Sequence, residues 1–325
     1  MKIIKHYIVS FSLILFAQIT EAQSQNVSVA PELIFQILAS ELSILEGNLP
    51  IAAATYLNIA EKTEDAMAAK RATELAMMIG DHRAALKSAQ LWQKNDKFSP
   101  EASETVNALY LVLGKNEKLV TSMLKQRNLA EQNDDLDNFY LKLNGLVNRA
   151  QEPSDALKIF EEVSKNDQLL PTVLYARAML NFRVGKPLEM ENILRTLIDI
   201  KPDHAQALNA LGYSMADRNV NLEEALRLIK AAIVFLPGDP HIIDSMGWVY
   251  YKLGKLEKAE EWLAQAYSSQ PDAEISAHYG EVLWNLSSKD EAINVWKQGF
   301  KNNPESEILR ETLGRLKVPI EQLLD

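Results

Sequence analysis

The chain has no cysteine. That absence excludes disulfides, a catalytic thiol, thiolate-bound metal and the lipid-bearing cysteine of a bacterial lipoprotein. Runs of Lys or Arg are missing too. With 34 basic against 44 acidic side chains, a net charge of −10, there is no basic stripe for nucleic acid or an anionic membrane. The five histidines are His6, His82, His204, His241 and His278, and the last four fall in four separate segments without metal-ligand spacing. His241 and Asp244 lie three apart on one helical face, but no serine nucleophile, glycine-rich phosphate loop or paired acid accompanies them. No enzyme activity, cofactor or metal is therefore expected.

Long apolar runs are nearly absent as well. Only Ile8 to Ala17 is mostly apolar; Lys2 and Lys5 precede it and Thr20-Glu21-Ala22 follows. Residues 1–22 thus have the layout of a cleavable secretory signal peptide, and their apolar stretch is shorter than the ~20 residues of a membrane-spanning helix. The expected product is exported, with no integral membrane segment after cleavage. Residues 23–31 are polar and aperiodic, a flexible lead-in.

What the chain does have is a period. Gly47, Gly80, Gly114, Gly185 and Gly254 recur between apolar segments, and Gly212, Gly247, Gly280 and Gly314 recur inside them. Anchored on these, segment starts fall near Leu33, Ala66, Pro100, Asp137, Pro171, Ala205, Pro240 and Ala273, with a shortened segment from Glu307. A repeat of roughly 34 residues with a turn signal in its middle is a helix-turn-helix array. Small residues such as Gly247, Ala259 and Ala266 belong where two antiparallel helices touch; large ones fill the flanks.

Ile243, Met246, Gly247, Tyr250, Ala259, Leu263, Ala266 and Pro271 together resemble a tetratricopeptide repeat (TPR). The fold expected from this resemblance is all-α: a right-handed α-solenoid of about eight TPR units with a C-terminal capping helix. Residues 32–136 hold degenerate N-terminal units, 137–306 well-formed ones, and 307–325 the capping helix and tail. Leu119 stands where a small residue belongs, so the third unit should be irregular, and Glu131 to Asp135 reads as a longer loop and a hinge.

In TPR-like units the second, fifth, ninth, twelfth and thirteenth residues of the first helix face inward. Carried over, these positions propose a protein-binding groove of Tyr175, Phe182 and Arg183, then Asn209 and Tyr213, then His241, Asp244, Trp248, Tyr251 and Lys252, then Glu281 and Trp284. Aromatic groups beside polar ones suit an extended peptide or a partner helix. If Asp244, Glu274 and Glu281 steer a basic client, binding should weaken with salt.

Residues 211–316 are more specific: they are similar to the C-terminal part of proteobacterial periplasmic TPR proteins, whose longer lipid-anchored members are adaptors for a C-terminal processing protease. The resemblance implies a non-enzymatic periplasmic adaptor or scaffold with protein or peptide partners, a periplasmic protease among them. The alternative is a factor in envelope assembly or secretion, such as polysaccharide export or pilus biogenesis.

Overall fold

A computed structural model describes residues 31–323. The expected signal peptide, residues 1–22, and residues 23–30 of the expected lead-in lie outside the described residues. Those described form seventeen α-helices and a closing 3₁₀ turn, with no strand among them. In chain order the first helices of the repeats are α1 (Pro31–Leu45), α3 (Ala66–Met78), α5 (Pro100–Val112), α7 (Leu136–Val147), α9 (Pro171–Arg183), α11 (Ala205–Asp217), α13 (Pro240–Lys252) and α15 (Ala273–Asn285). Each is followed by its second helix: α2 (Leu49–Thr63), α4 (His82–Asn95), α6 (Asn116–Gln132), α8 (Pro153–Val163), α10 (Pro187–Ile200), α12 (Leu222–Phe235), α14 (Leu256–Ser269) and α16 (Lys289–Asn302). The last helix, α17 (Glu307–Leu316), and the turn Ile320–Leu323 end the array. The architecture is the expected all-α solenoid of repeats.

Local chemistry accounts for the boundaries. Pro240 occupies the first turn of α13, and the Asp239 carboxylate accepts from the backbone N–H groups of His241 at 2.9 Å and Ile242 at 3.1 Å. Such caps contribute ~1 kcal/mol each. At the other end Gly254 takes φ +72°, and Lys255 N–H donates to Tyr250 O while Gly254 N–H donates to Tyr251 O, both at 2.9 Å. This left-handed cap satisfies the last carbonyls of α13 and reverses the chain into α14. Where the repeat carries an extra residue, after α11, two left-handed asparagines, Asn219 and Asn221, replace the glycine.

The crossings are as tight as the small residues require. A Cβ on Gly247 would sit 2.5 Å from Leu263 Cγ and 3.1 Å from Ala259 O, and one on Gly212 would meet Ile229 at 2.7 Å. Gly280 lies directly under the Trp296 indole, and Gly299 packs on Ser276. Gly314 departs from the expectation: nothing lies within 4 Å of the position of its Cβ, so it marks no crossing. Among the described residues no second helix follows α17 to press against it.

The described helices group into two compact units, which meet in sequence at Lys115/Asn116, inside the third repeat. The first unit contains α1 to α5, with Tyr56, Leu75 and Trp92 in its core. The second contains α6 to α17, and its core runs from Leu174 through Leu211, Ile229 and Leu263 to Trp296, ending on Leu309, Leu313, Val318 and Leu323. Leu119, fully buried, is the large residue at the irregular repeat. The acidic run from Glu131 is not the long loop expected. Its extra residues lengthen α6 to 17 residues, and only Asn133 to Asp135 connect α6 to α7. Helix propagation is cheaper than ordering an irregular loop of the same length. Among the described residues no helix is long and apolar enough to cross a membrane.

Candidate functional site: a stapled inner wall

In the second unit the inward positions of successive first helices touch one another. The contacts recur at the repeat spacing. Arg183 on α9 donates to Asn148 Oδ1 at 2.5 Å, and Tyr175 stacks on His204, the N-cap of α11, at 5.2 Å between ring centres. From α13 the Trp248 indole N–H donates to Asp217 on α11 at 3.2 Å, while Lys252 Nζ lies 4.6 Å above the Trp248 ring and donates to the Asp217 carbonyl at 3.1 Å. His278 on α15 donates from Nδ1 to Asp244 at 2.8 Å. Tyr251 donates to Glu281 at 2.8 Å, and Arg315 on α17 grips both oxygens of the same carboxylate.

Stacked rings join these pairs. Trp248 lies between Tyr251, at 5.0 Å, and His278, at 4.0 Å and nearly parallel. The Tyr213 hydroxyl is 3.5 Å from His278 Nε2. Trp284 leans on Trp296 at 5.7 Å, with Lys289 over its face at 4.9 Å. Offset ring pairs add ~0.5–1.5 kcal/mol beyond their buried area, which favours one arrangement of these side chains.

Electrostatics follow from burial and pairing. Desolvation pushes the His278 imidazolium toward deprotonation, while Asp244, helped by Glu274 and Glu281, favours the charged ring; the pKa ends above the ordinary histidine value. Burial and the Glu281 carboxylate push the Tyr251 phenol up to about 12. Tyr213 is raised further, by burial first and then by Glu274.

This arrangement corrects part of the sequence reading. Asp244, Trp248 and Glu281 are not free groove groups: Trp248 is 3% exposed, Asp244 is equally buried, and Glu281 is 1% exposed. They staple repeat to repeat, so Asp244 and Glu281 cannot steer a basic client. Tyr175, Asn209, Tyr213, Tyr251, Lys252 and Trp284 are half-buried, whereas Arg183 and His241 are exposed. Phe182 is 52% exposed. Of the proposed set, Phe182, Arg183 and His241 present the most surface, Lys252 and Trp284 are half-buried, and Arg315, half-exposed, joins them.

Sequence reasoning missed Asp217, His278 and Arg315. The signal was a charge complement one repeat away: Asp217 with Lys252, Asp244 with His278, and Glu281 with Arg315. His278 escaped because it is the sixth residue of its helix, not the fifth. The first unit was missed as well. At the thirteenth position, where the second unit has Arg183, Asp217, Lys252 and Asn285, it exposes Leu45, Met78 and Val112, with Met77 beside them. Methionine-rich apolar ridges repack around varied partners. Among the described residues no cluster of three or more His, Asp or Glu is placed to hold a metal.

Residues 241–272 match the tetratricopeptide repeat family. TPR repeat-containing protein PA4667 of Pseudomonas aeruginosa is 34% identical over 242 residues, which cover 68% of this chain and 41% of that protein. The chain thus spans about two fifths of the curated relative it matches. A tetratricopeptide repeat protein from Parabacteroides merdae superposes with a TM-score of 0.52 over 83% of this chain and 99% of its own, at 15% identity. A TPR protein from Thermus thermophilus, at 24% identity, covers 56% of this chain and 99% of its own with a TM-score of 0.48.

Proposed function

We propose that the chain, an all-α repeat array whose residues 241–272 match the tetratricopeptide repeat family, is a non-catalytic periplasmic adaptor whose inner wall binds segments of other proteins. The observation that carries this reading is the set of Arg183, Lys252, Trp284 and Arg315, each held by a contact to the wall, with exposed Phe182 beside Arg183. Binding to an ordered surface costs less side-chain entropy than binding to a loose one. Aromatic and arginine groups are also the types that dominate interface energetics. The apolar ridge of the first unit supplies a second chemistry, so one chain can hold two kinds of segment. Delivery of substrates to an envelope protease is the first job to test, because residues 211–316 resemble adaptors that do so. The leader-like layout of residues 1–22 supports export to the same compartment.

Photo-crosslinking tests this reading. A crosslinking residue at Phe182 or Trp284, in cells grown without overexpression, is expected to trap a discrete envelope partner that the same residue at exposed Lys230 on α12 does not. Phe182→Ala combined with Arg183→Ala, both exposed, should weaken capture about tenfold or more. Equal capture from Lys230 would reject the inner wall as the binding face. A protease among the trapped proteins supports delivery, and a secretion or pilus component supports the assembly role instead.

A further inference from the structure

One first helix breaks the rule that fills the others. The seventh residue of α3, α5, α11, α13 and α15 is Ala72, Val106, Leu211, Met246 and Tyr279, and each is buried. At the same position α9 carries Arg177, half-buried. A guanidinium set where the repeat places an apolar side chain is partly desolvated, and that cost calls for a partner. The fold supplies none. Arg177 Nε is buried without a hydrogen-bond partner, and among the described residues no carboxylate lies within ion-pair distance of the guanidinium.

Around this residue the packing opens. Arg177 lines a cleft of about 430 Å³ between α8 and α9, together with Lys158, Glu161 and Glu162 of α8 and Lys165 and Gln168 of the connection that follows. The cleft shares no lining residue with the inner wall. Glu162 and Lys165 lie 3.9 Å apart and offset one another. Lys158, like Arg177, has no ion-pair partner among the described residues. These two cations therefore stand against Glu161 alone, one positive charge in excess.

We propose that this cleft binds a carboxylate-bearing ligand, whose carboxylate is held by Arg177 and Lys158. Three features select that chemistry. A guanidinium presents parallel N–H donors that match the two oxygens of a carboxylate, and the unpartnered Nε is one of them. A single excess charge balances a monoanion, whereas a dianionic phosphate would leave the cleft negative beside Glu161 and Glu162. The cleft is also larger than one carboxylate fills, and the Gln168 amide can donate to or accept from the rest of the ligand. The carboxylate thus belongs to a larger group, either a small organic acid or an acidic side chain of a protein segment.

Isothermal titration calorimetry of the full chain with N-acetylglycine, at constant ionic strength, tests the proposal. The expected result is one saturable site with a Kd on the order of 1 mM, no binding of the neutral N-acetylglycinamide, and weaker binding of inorganic phosphate. Arg177→Leu restores the residue type of the other repeats, so it should melt no lower than the wild type and lose at least about tenfold in affinity. Lys158→Gln, at an exposed position, should keep the fold and weaken binding severalfold, which keeps the test valid if Arg177→Leu fails to fold. Acetyl-Gly-Glu-Gly-amide separates the two sources. Binding as tight as that of N-acetylglycine assigns the site to acidic protein segments; binding of N-acetylglycine alone assigns it to small acids. No saturable binding below about 50 mM, phosphate bound more tightly than the acid, or an affinity unchanged in these variants would overturn the proposal.

Discussion

A single added methyl separates the two kinds of helical glycine in this chain. At Gly247 it would collide with Leu263, which cannot retreat because it is fully buried, so Gly247→Ala should cost ~1–3 kcal/mol in a urea titration. At Gly314 the same methyl meets nothing, and Gly314→Ala should stabilise by up to ~1 kcal/mol through helix propensity alone. Both glycines occupy the same position in the repeat pattern, so sequence spacing could not tell them apart. The difference is whether a second helix follows. Trp248 shows the converse limit: its type and register mark an inward position, but burial makes it a staple. Trp248→Ala should therefore destabilise by ~3–5 kcal/mol, and lost binding in that variant would say little about the wall. Phe182, exposed, is the cleaner probe.

Buried ion pairs join helices in this protein beside the apolar contacts. Between α6 and the α8–α9 connection, Arg127 holds Asp167 at 2.6 Å and Glu131 at 2.5 Å, and Tyr140 on α7 donates to the same Asp167. This knot holds the irregular repeat where the small-residue pattern fails. Removing its cation by Arg127→Met leaves Asp167 buried without a counter-charge and should cost ~3–5 kcal/mol. The Arg127 guanidinium holds the Asp167 carboxyl below its usual range. Its stabilisation is thus complete above ~pH 4 and is lost as pH falls through the depressed value; Asp167→Asn should flatten that acid limb. The His278–Asp244 pair has the opposite sign. With the folded pKa raised, its contribution is full below ~pH 6.5 and is lost as pH rises through the folded value. The stability difference between the wild type and His278→Gln should accordingly shrink on the alkaline side, as measured by thermal melts across pH. Neither knot stood out in the sequence, because each joins residues of separate segments whose charges look like ordinary solvated ones; only the repeat spacing of Asp244 and His278 marks the second.

At the scale of the whole molecule, the division at Lys115/Asn116 predicts that residues 116–325, expressed alone, fold with native-like helicity and a cooperative melt. A molten, non-cooperative product would show that the second unit needs the first. How much of this organisation the sequence contains follows from the physics of repeats. Each unit must bury its own stripe on its neighbours, so small residues at crossings and glycines at turns are forced to recur, and a recurring pattern can be read along one dimension. Helix starts at Ala66, Pro100, Pro171, Ala205, Pro240, Ala273 and Glu307 were legible for that reason. Inward-facing polar and aromatic residues answer to no such recurrence. Whether Asp244 or Glu281 greets a partner or binds His278 or Arg315 depends on what the next repeat happens to offer 34 residues later, across a gap set by helix crossing angles. Periodic burial made the elements and their order a property of the sequence alone; the pairing of charges and rings between repeats, which leaves Phe182 open and closes Trp248, was decided only when the helices stacked.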